Sequence, residues 1–348
     1  MSEEFDYGTH WLSKQVDSGL FGITHPAAVG VLKFALIWDI IAICYTVILW
    51  RDISTSFLFA SAIGLSWVNI APYLIWYYDK RVLSDFFIHL SELISDDKTR
   101  HELAEKYNRL FADHHPSVYV FWAGAAMIIV YVSEPVLRSQ GMIGVGSVFL
   151  WTTYAYAAYI GGVLGHGFVG PMTTILLIRE ITKHELEIDP LHPDNLGGLS
   201  TVGYCSIRTT LLYSTGSLFL PLLFYLSSTG ERPTIVFAIA SIYVLTILSS
   251  FIYPTVIVNR RAQDYRDGIL EDLRHQYANL EQEISSSGQD ELNELNKRLE
   301  LQRVQRKYES YNSLRLYPLQ IEILTRLAGS ILLPILFIFI EFYLPNLI

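Results

Sequence analysis

The sequence is poor in charged residues. Only 17% of its 348 residues are Asp, Glu, Lys or Arg, whereas a soluble domain carries roughly 25%. Hydrophobic residues make up 51%. This composition predicts that much of the protein surface faces lipid. The formal net charge of −9 argues against nucleic acid as a partner, because nucleic-acid-binding surfaces are basic.

Cysteine is equally scarce, and a cleavable signal sequence is missing. Cys44 and Cys205 lie inside or beside apolar runs, which excludes a disulfide framework and a cysteine-based metal site. The N-terminus, MSEEFDYGTHWLSK, is acidic and lacks the basic region and short apolar stretch of a signal peptide. We therefore expect the first apolar run to direct membrane insertion.

Seven apolar runs are each long enough to cross a hydrocarbon core of about 30 Å, which takes roughly 20 helical residues. They are residues 29–50, 55–76, 118–137, 142–178, 209–226, 234–258 and 319–344. The predicted fold class is all-α, a polytopic membrane protein with about seven transmembrane helices. The lipid bilayer is then its first partner.

Positively charged residues are concentrated in alternate connections between these runs. The second, fourth and sixth connections hold most of the Lys and Arg, whereas the other connections are short and carry only Arg51, Arg138 and Arg232. Because cytoplasmic loops retain positive charge, the pattern predicts a cytoplasmic N-terminus and an extracellular C-terminus in the plasma membrane.

The long connections also have helical periodicity. Residues 80–115 predict two amphipathic helices separated at Ser95, Asp96 and Asp97, a helix-capping cluster. Residues 259–312 predict two arms of a helical hairpin that turns at residues 285–288. The chain is thus divided into six transmembrane helices with amphipathic connections (1–258), a cytoplasmic helical hairpin (259–315) and a seventh transmembrane helix (316–348).

Asp39 stands near the middle of the first apolar run, where an unpaired charge is costly. One interpretation is a cation or proton site in a polar cavity. The other is a structural carboxyl group that joins two helices, paired with Asn69 or with a tyrosine. A second ambiguous stretch surrounds His166 in GGVLGHGFVGP. Its glycines predict either a tightly packed helix or a broken helix that lines a cavity.

The loop HELEIDPLHPDNLGGLS combines acids, histidines and turn-forming residues. A ligand or metal site could use His184, Glu187, Asp189, His192 and Asp194, because imidazole and carboxylate groups bind Zn and Mn. The alternative is a structural turn in which Asp194 or Asn195 caps the following helix. The metal and any cofactor are not indicated by the sequence.

The last apolar run contains Pro334 and ends with Glu341. Charges at both ends and a central proline are typical of a pore helix. The alternative is a simple span whose charged groups lie at the two interfaces.

The seven spans, short outer loops and cytoplasmic extension of the last two helices resemble the insect odorant and gustatory receptor channels. The resemblance is one of topology, since the signature of the last gustatory receptor helix is absent. It implies a homotetramer with a cytoplasmic anchor and a central pore lined by the last helix, including Pro334, Phe337 and Glu341. The HPD-x-x-GGL loop also resembles a stretch in prokaryotic membrane proteins, which implies no activity.

The leading functional hypothesis is an oligomeric channel or channel-like receptor that conducts cations, with a small-molecule ligand as a further partner. One alternative is a membrane-embedded, metal-dependent enzyme that uses the loop from His184 to Asp194. The other is a secondary transporter coupled through Asp39. The enzyme is the second hypothesis and the transporter the third. Whether the protein is an enzyme stays open, with a non-enzymatic role favoured, because no catalytic motif is present.

Overall fold

The computed structural model describes residues 10–112, 116–142, 145–184, 186–189, 192, 194, 197–228, 233–286, 291–313, 332 and 336. Within these residues the regular structure is helical, apart from an isolated antiparallel bridge between Leu20 and Ile23. We number ten helices in this part of the chain. They are α1 (Trp11–Asp17), α2 (Pro26–Ile48), α3 (Thr55–Glu92), α4 (Asp97–Ala112), α5 (Pro116–Val132), α6 (Glu134–Ser139), α7 (Val145–Ile181), α8 (Ser200–Leu226), α9 (Pro233–Ser286) and α10 (Glu291–Asn312).

Six stretches of helix in the described residues are long and apolar enough to cross a membrane. They are α2, α3, the α4–α5 stretch, α7, α8 and α9. Large apolar side chains point outward from them: Ile37, Val47 and Val120 are 68%, 70% and 74% exposed. Such exposure is favourable in lipid and costly in water. The chain is therefore a multi-pass, all-helical membrane protein. Of the seventh apolar run, 319–344, the structure describes residues 332 and 336 alone.

Two hydrophobic cores lie toward opposite ends of the bundle. The larger, which we call the first core, joins α1, the second half of α3, α4 and the last turns of α7. Its fully buried members include Leu12, Phe87, Phe111 and Ile178. The second core joins the end of α2 with α5, α6 and the start of α7, and it also includes Leu226. The amphipathic connections thus supply much of the dense packing in the protein.

Helix α1 and its contact with α3 were not predicted. His10 precedes α1, and its backbone N–H donates a hydrogen bond of 3.1 Å to Oδ2 of Asp79, a fully buried residue. Asp79 lies in a π-helical segment of α3, Tyr78–Leu83. On the exposed side, Lys80 pairs with Asp17 at 3.3 Å. A seven-residue helix in a polar context has too few periodic positions to be recognised in a sequence.

The helix break in the connection between α3 and α4 is confirmed. The Asp96 carboxylate accepts hydrogen bonds from the Thr99 side chain and from the backbone N–H groups of Thr99 and Lys98. These bonds, led by the one from the Thr99 side chain, hold the pKa of Asp96 below its usual range. Asp96 therefore caps α4, as the cluster of Ser95, Asp96 and Asp97 predicts.

Helices α9 and α10 pack side by side in opposite directions. Arg274 of α9 donates a hydrogen bond of 2.8 Å to the Tyr308 hydroxyl, and Lys297 Nζ lies 3.2 Å from Glu283 Oε2. Residues farther along α9 therefore meet residues that come earlier in α10. The cytoplasmic location of this pair stays a prediction.

The face of α10 that packs on α9 includes Val304. Val304 is buried and Leu301 is half-buried, whereas Leu295 and Leu299 are 59% and 57% exposed. The Glu283–Lys297 ion pair lies on the same side of α10 as Val304.

Candidate functional site

A cavity of about 490 Å³ lies inside the bundle between α3, α5, α7, α8 and α9. We call it the bundle cavity. Its wall includes Val68 of α3, Ala125 of α5, Tyr156 of α7, Tyr213 of α8 and Tyr243 of α9. Other lining residues belong to the first core at one end and to the second core at the other. The cavity therefore lies between the two cores.

The lining of the bundle cavity is apolar and aromatic. Among the described residues that form it, none is Asp, Glu, Lys, Arg or His. Its rings include Trp67, Phe111, Trp122, Phe168 and Phe219. Its size falls in the range of small-molecule sites, which are concave and mostly apolar. Without a charged group to pair with an ion, the cavity suits a neutral molecule.

Most polar groups in the wall are already satisfied within the protein. The Tyr243 hydroxyl donates to the Tyr213 carbonyl at 2.6 Å, and Trp67 Nε1 donates to Thr215 Oγ1 at 3.1 Å. The Tyr78 hydroxyl lies 2.8 Å from the Gly170 carbonyl, to which it donates. These internal bonds fix the orientation of the rings, so the wall is preorganised.

Glycines of α7 form one side of this region by allowing α5 to approach closely. A Cβ atom at Gly161 would lie 2.5 Å from the Trp122 carbonyl oxygen, and one at Gly165 would lie 2.4 Å from the Trp122 ring. Helix α7 continues through the whole glycine-rich stretch. The prediction of a tightly packed helix around His166 is therefore confirmed, although the His166 side chain lies outside the described positions.

Asp39 has a partner on the neighbouring helix. The Asn69 amide nitrogen lies 3.1 Å from each of its two carboxylate oxygens. The predicted pairing between the first and second spans is thus confirmed. Asp39 is half-buried and does not line the bundle cavity. The predicted cation or proton role of Asp39 stays a prediction.

The loop before α8 brings two of its five predicted ligands together. His192 Nδ1 lies 2.7 Å from Asp194 Oδ1, and His192 Nε2 lies 3.6 Å from Glu92. The Asp194 carboxylate accepts hydrogen bonds from the N–H groups of Gly198 and Ser200. Since Ser200 is the first residue of α8, Asp194 stabilises the predicted turn before this helix, but the N-cap residue of α8 is Leu199 and not Asp194.

The other predicted ligands make different contacts. The Glu187 carboxylate accepts a hydrogen bond from Ser95, and the Glu187 N–H donates to the Leu93 carbonyl at 3.0 Å. Asp189 lies near the half-buried Tyr311 of α10, whose pKa is raised mainly by desolvation. Across the described residues, no group of three or more His, Cys, Asp or Glu side chains, including His184, could hold a metal ion. The loop therefore attaches the start of α8 to the end of α3.

The pore residues predicted from the last run, Pro334, Phe337 and Glu341, lie outside the described residues. The place of the bundle cavity was not predicted, since its wall is assembled from residues on six helices. The aromatic content of 14% and the glycine-rich stretch around His166, for which a cavity-lining helix was one alternative, are the sequence signals that relate to it. No family model, curated protein or solved structure matches this chain. The likeness to insect receptor channels consequently rests on topology.

Proposed function

We propose that this protein is a membrane receptor for a neutral, mainly apolar small molecule, and that binding controls cation conduction by an oligomer of the chain. The bundle cavity carries the proposal. An apolar space of this size offers many dispersion contacts to a ligand. Its aromatic rings offer a large contact area to such a ligand.

Helix α9 connects the wall of the bundle cavity to the part of the molecule where α9 packs on α10. This helix contributes Ile242, Tyr243 and Thr246 to the cavity wall and continues without interruption to Ser286. Its 54 residues extend about 80 Å at the helical rise. A ligand that shifts α9 at the cavity wall would therefore also displace the arm that packs on α10. This connection supports a receptor whose output lies outside the cavity.

The conduction part of the proposal rests on the topological resemblance and on Glu341. In this proposal a seventh span completes the bundle, the N-terminus and the α9–α10 pair are cytoplasmic, and the C-terminus is extracellular. Four copies surround a pore lined by Pro334, Phe337 and Glu341. The metal-dependent enzyme is less well supported, because the loop acids are engaged in capping and packing. Transport through Asp39 is less well supported because Asn69 already pairs with this carboxylate.

The binding test uses benzophenone, a neutral, aromatic and photoreactive ketone. Irradiation of the purified protein with benzophenone should label peptides from α3, α7 and α9 that contain cavity residues. Ala157 lines the cavity, whereas Ala155, two residues earlier on α7, is exposed. A phenyl ring at position 157 would occupy ligand space. Ala157→Phe should therefore abolish most of the labelling, and the matched control Ala155→Phe should retain it.

Mass spectrometry of the labelled peptides checks this expectation. As a control, both variants should elute as folded, monodisperse protein in size-exclusion chromatography. Labelling that is spread over lipid-facing residues such as Val120, or that is unaffected by Ala157→Phe, would contradict ligand binding in the cavity.

A further inference from the structure

One residue in the wall of the bundle cavity, Ile242 of α9, is also exposed at the surface of the protein. Its side chain lines the cavity and is 63% exposed. The other lining residues that the structure describes are buried or half-buried. At Ile242 a single side chain therefore separates the cavity from the surroundings of the protein.

The position of Ile242 on its helix explains these two contacts. Successive residues of an α-helix are rotated by about 100°. Tyr243 and Thr246 lie on one side of Ile242 and line the cavity. Leu245 and Ile252 lie on its other side, where they are exposed and do not line the cavity. Ile242 is thus at the edge between the cavity face of α9 and an apolar face that suits contact with lipid.

The two ends of the bundle cavity are closed by the hydrophobic cores. Ile75 and Phe111 of the first core line one end, and Val130 and Leu226 of the second core line the other. All four side chains are buried. A ligand that entered along the bundle would have to displace several tightly packed residues, which is costly. Entry from the side at Ile242 requires the movement of one side chain.

We infer that the ligand reaches the bundle cavity from the hydrocarbon region of the bilayer, past the side chain of Ile242. The inference deepens the proposed function and rests on it. It identifies the ligand class as neutral compounds that partition into the membrane, where apolar molecules are concentrated. It also assigns to Ile242 control over the rates of ligand entry and exit.

The size of the side chain at position 242 tests this inference in the full-length protein in liposomes. A gate sets one barrier for entry and exit, so its alteration changes both rate constants in the same direction. Ile242→Trp should slow the association and the dissociation of benzophenone by about fivefold each, which corresponds to about 1 kcal/mol in the barrier. Ile242→Ala should accelerate both, and it provides an independent test if Ile242→Trp does not fold.

Photolabelling by a light flash at a set delay after mixing measures these rates. Mixing with benzophenone gives the association rate constant, and mixing of the loaded protein with an excess of empty liposomes gives the dissociation rate constant. Leu245→Trp is the matched control, because Leu245 is on the same helix and 60% exposed but does not line the cavity. It should leave both rate constants unchanged.

Three results would overturn entry past Ile242 while leaving the cavity as a binding site. They are unchanged rate constants in the Ile242 variants, a change in one rate constant alone, and equal slowing by Leu245→Trp. A change in the dissociation rate constant alone would identify Ile242 as a wall contact and not as a gate. Failure of benzophenone to bind the unmodified protein would overturn the proposed binding function as well, and with it this inference.

Discussion

The pairing of Asp39 with Asn69 shows how single polar residues hold a peripheral helix in place. Among the residues of α2 from Leu36 to Ile48, none is buried. Side-chain packing therefore contributes little to the attachment of this part of α2 to the bundle. The Tyr45 hydroxyl adds a second polar contact by donating to the Phe149 carbonyl at 2.8 Å. In lipid, such contacts between helices replace the hydrophobic effect as the source of association.

A double-mutant cycle tests this role of the Asp39–Asn69 pair. Asn69→Leu should destabilise the protein by about 0.5–2 kcal/mol, because it removes the donor and leaves the carboxylate unpaired. Asp39→Leu with Asn69→Leu should recover most of that loss, since no unpaired polar group remains. Reversible unfolding in mixed micelles measures the free energy of unfolding of the single and the double variant. Additive losses in the double variant would show that the two side chains are not coupled.

At the scale of helices, the close packing of α5 on α7 depends on glycine. Gly161 faces the backbone of α5, whereas a Cβ atom at Gly124, on α5 itself, would have no atom within 4 Å. Backbone atoms cannot move aside as a flexible side chain can. The contact between α5 and α7 therefore requires glycine at position 161 but not at position 124.

Gly161→Ala should destabilise the protein by about 1–3 kcal/mol through overpacking against Trp122 and Ala126. Gly124→Ala should leave stability unchanged or raise it slightly, because alanine is the better helix former. Thermal unfolding in detergent compares the two substitutions. Equal changes in stability for Gly161→Ala and Gly124→Ala would contradict the glycine-mediated contact between α5 and α7.

The helices differ in how well the sequence predicts them. The long apolar runs and the Asp96 cap were predicted because their signals are local. The first amphipathic helix after residue 80 was predicted, but its continuity with the second span was not, since a change from an apolar to an amphipathic pattern marks the end of a span and not the end of a helix. The rotation of α10 was not predicted. It depends on contacts with α9, such as the Glu283–Lys297 ion pair, and on the burial of Val304.

At the scale of the whole molecule, dense packing is found toward the ends of the bundle and an apolar space lies between them. The first core joins the amphipathic helices to the spans, and the second core closes the other end. The bundle cavity lies in the region that the sequence predicts to cross lipid. Its lining comes from six helices, and no single segment of the sequence has a pattern that specifies it. A cavity of this kind depends on tertiary packing, which periodicity does not specify.

The final prediction connects ligand binding to conduction through Glu341. A ring of carboxylates at a pore mouth concentrates cations and repels anions. Under the proposed function, benzophenone should increase a cation current through the unmodified protein in planar bilayers. Glu341→Gln should reduce both the cation conductance and the cation-over-anion selectivity in low salt. The reduction should be smaller at 1 M salt, where the Debye length is about 3 Å. Glu322→Gln, at the opposite end of the same apolar run, is the matched control and should keep the selectivity of the unmodified protein. Absence of current with and without benzophenone, or equal selectivity of all three proteins at every salt concentration, would refute a pore at Glu341.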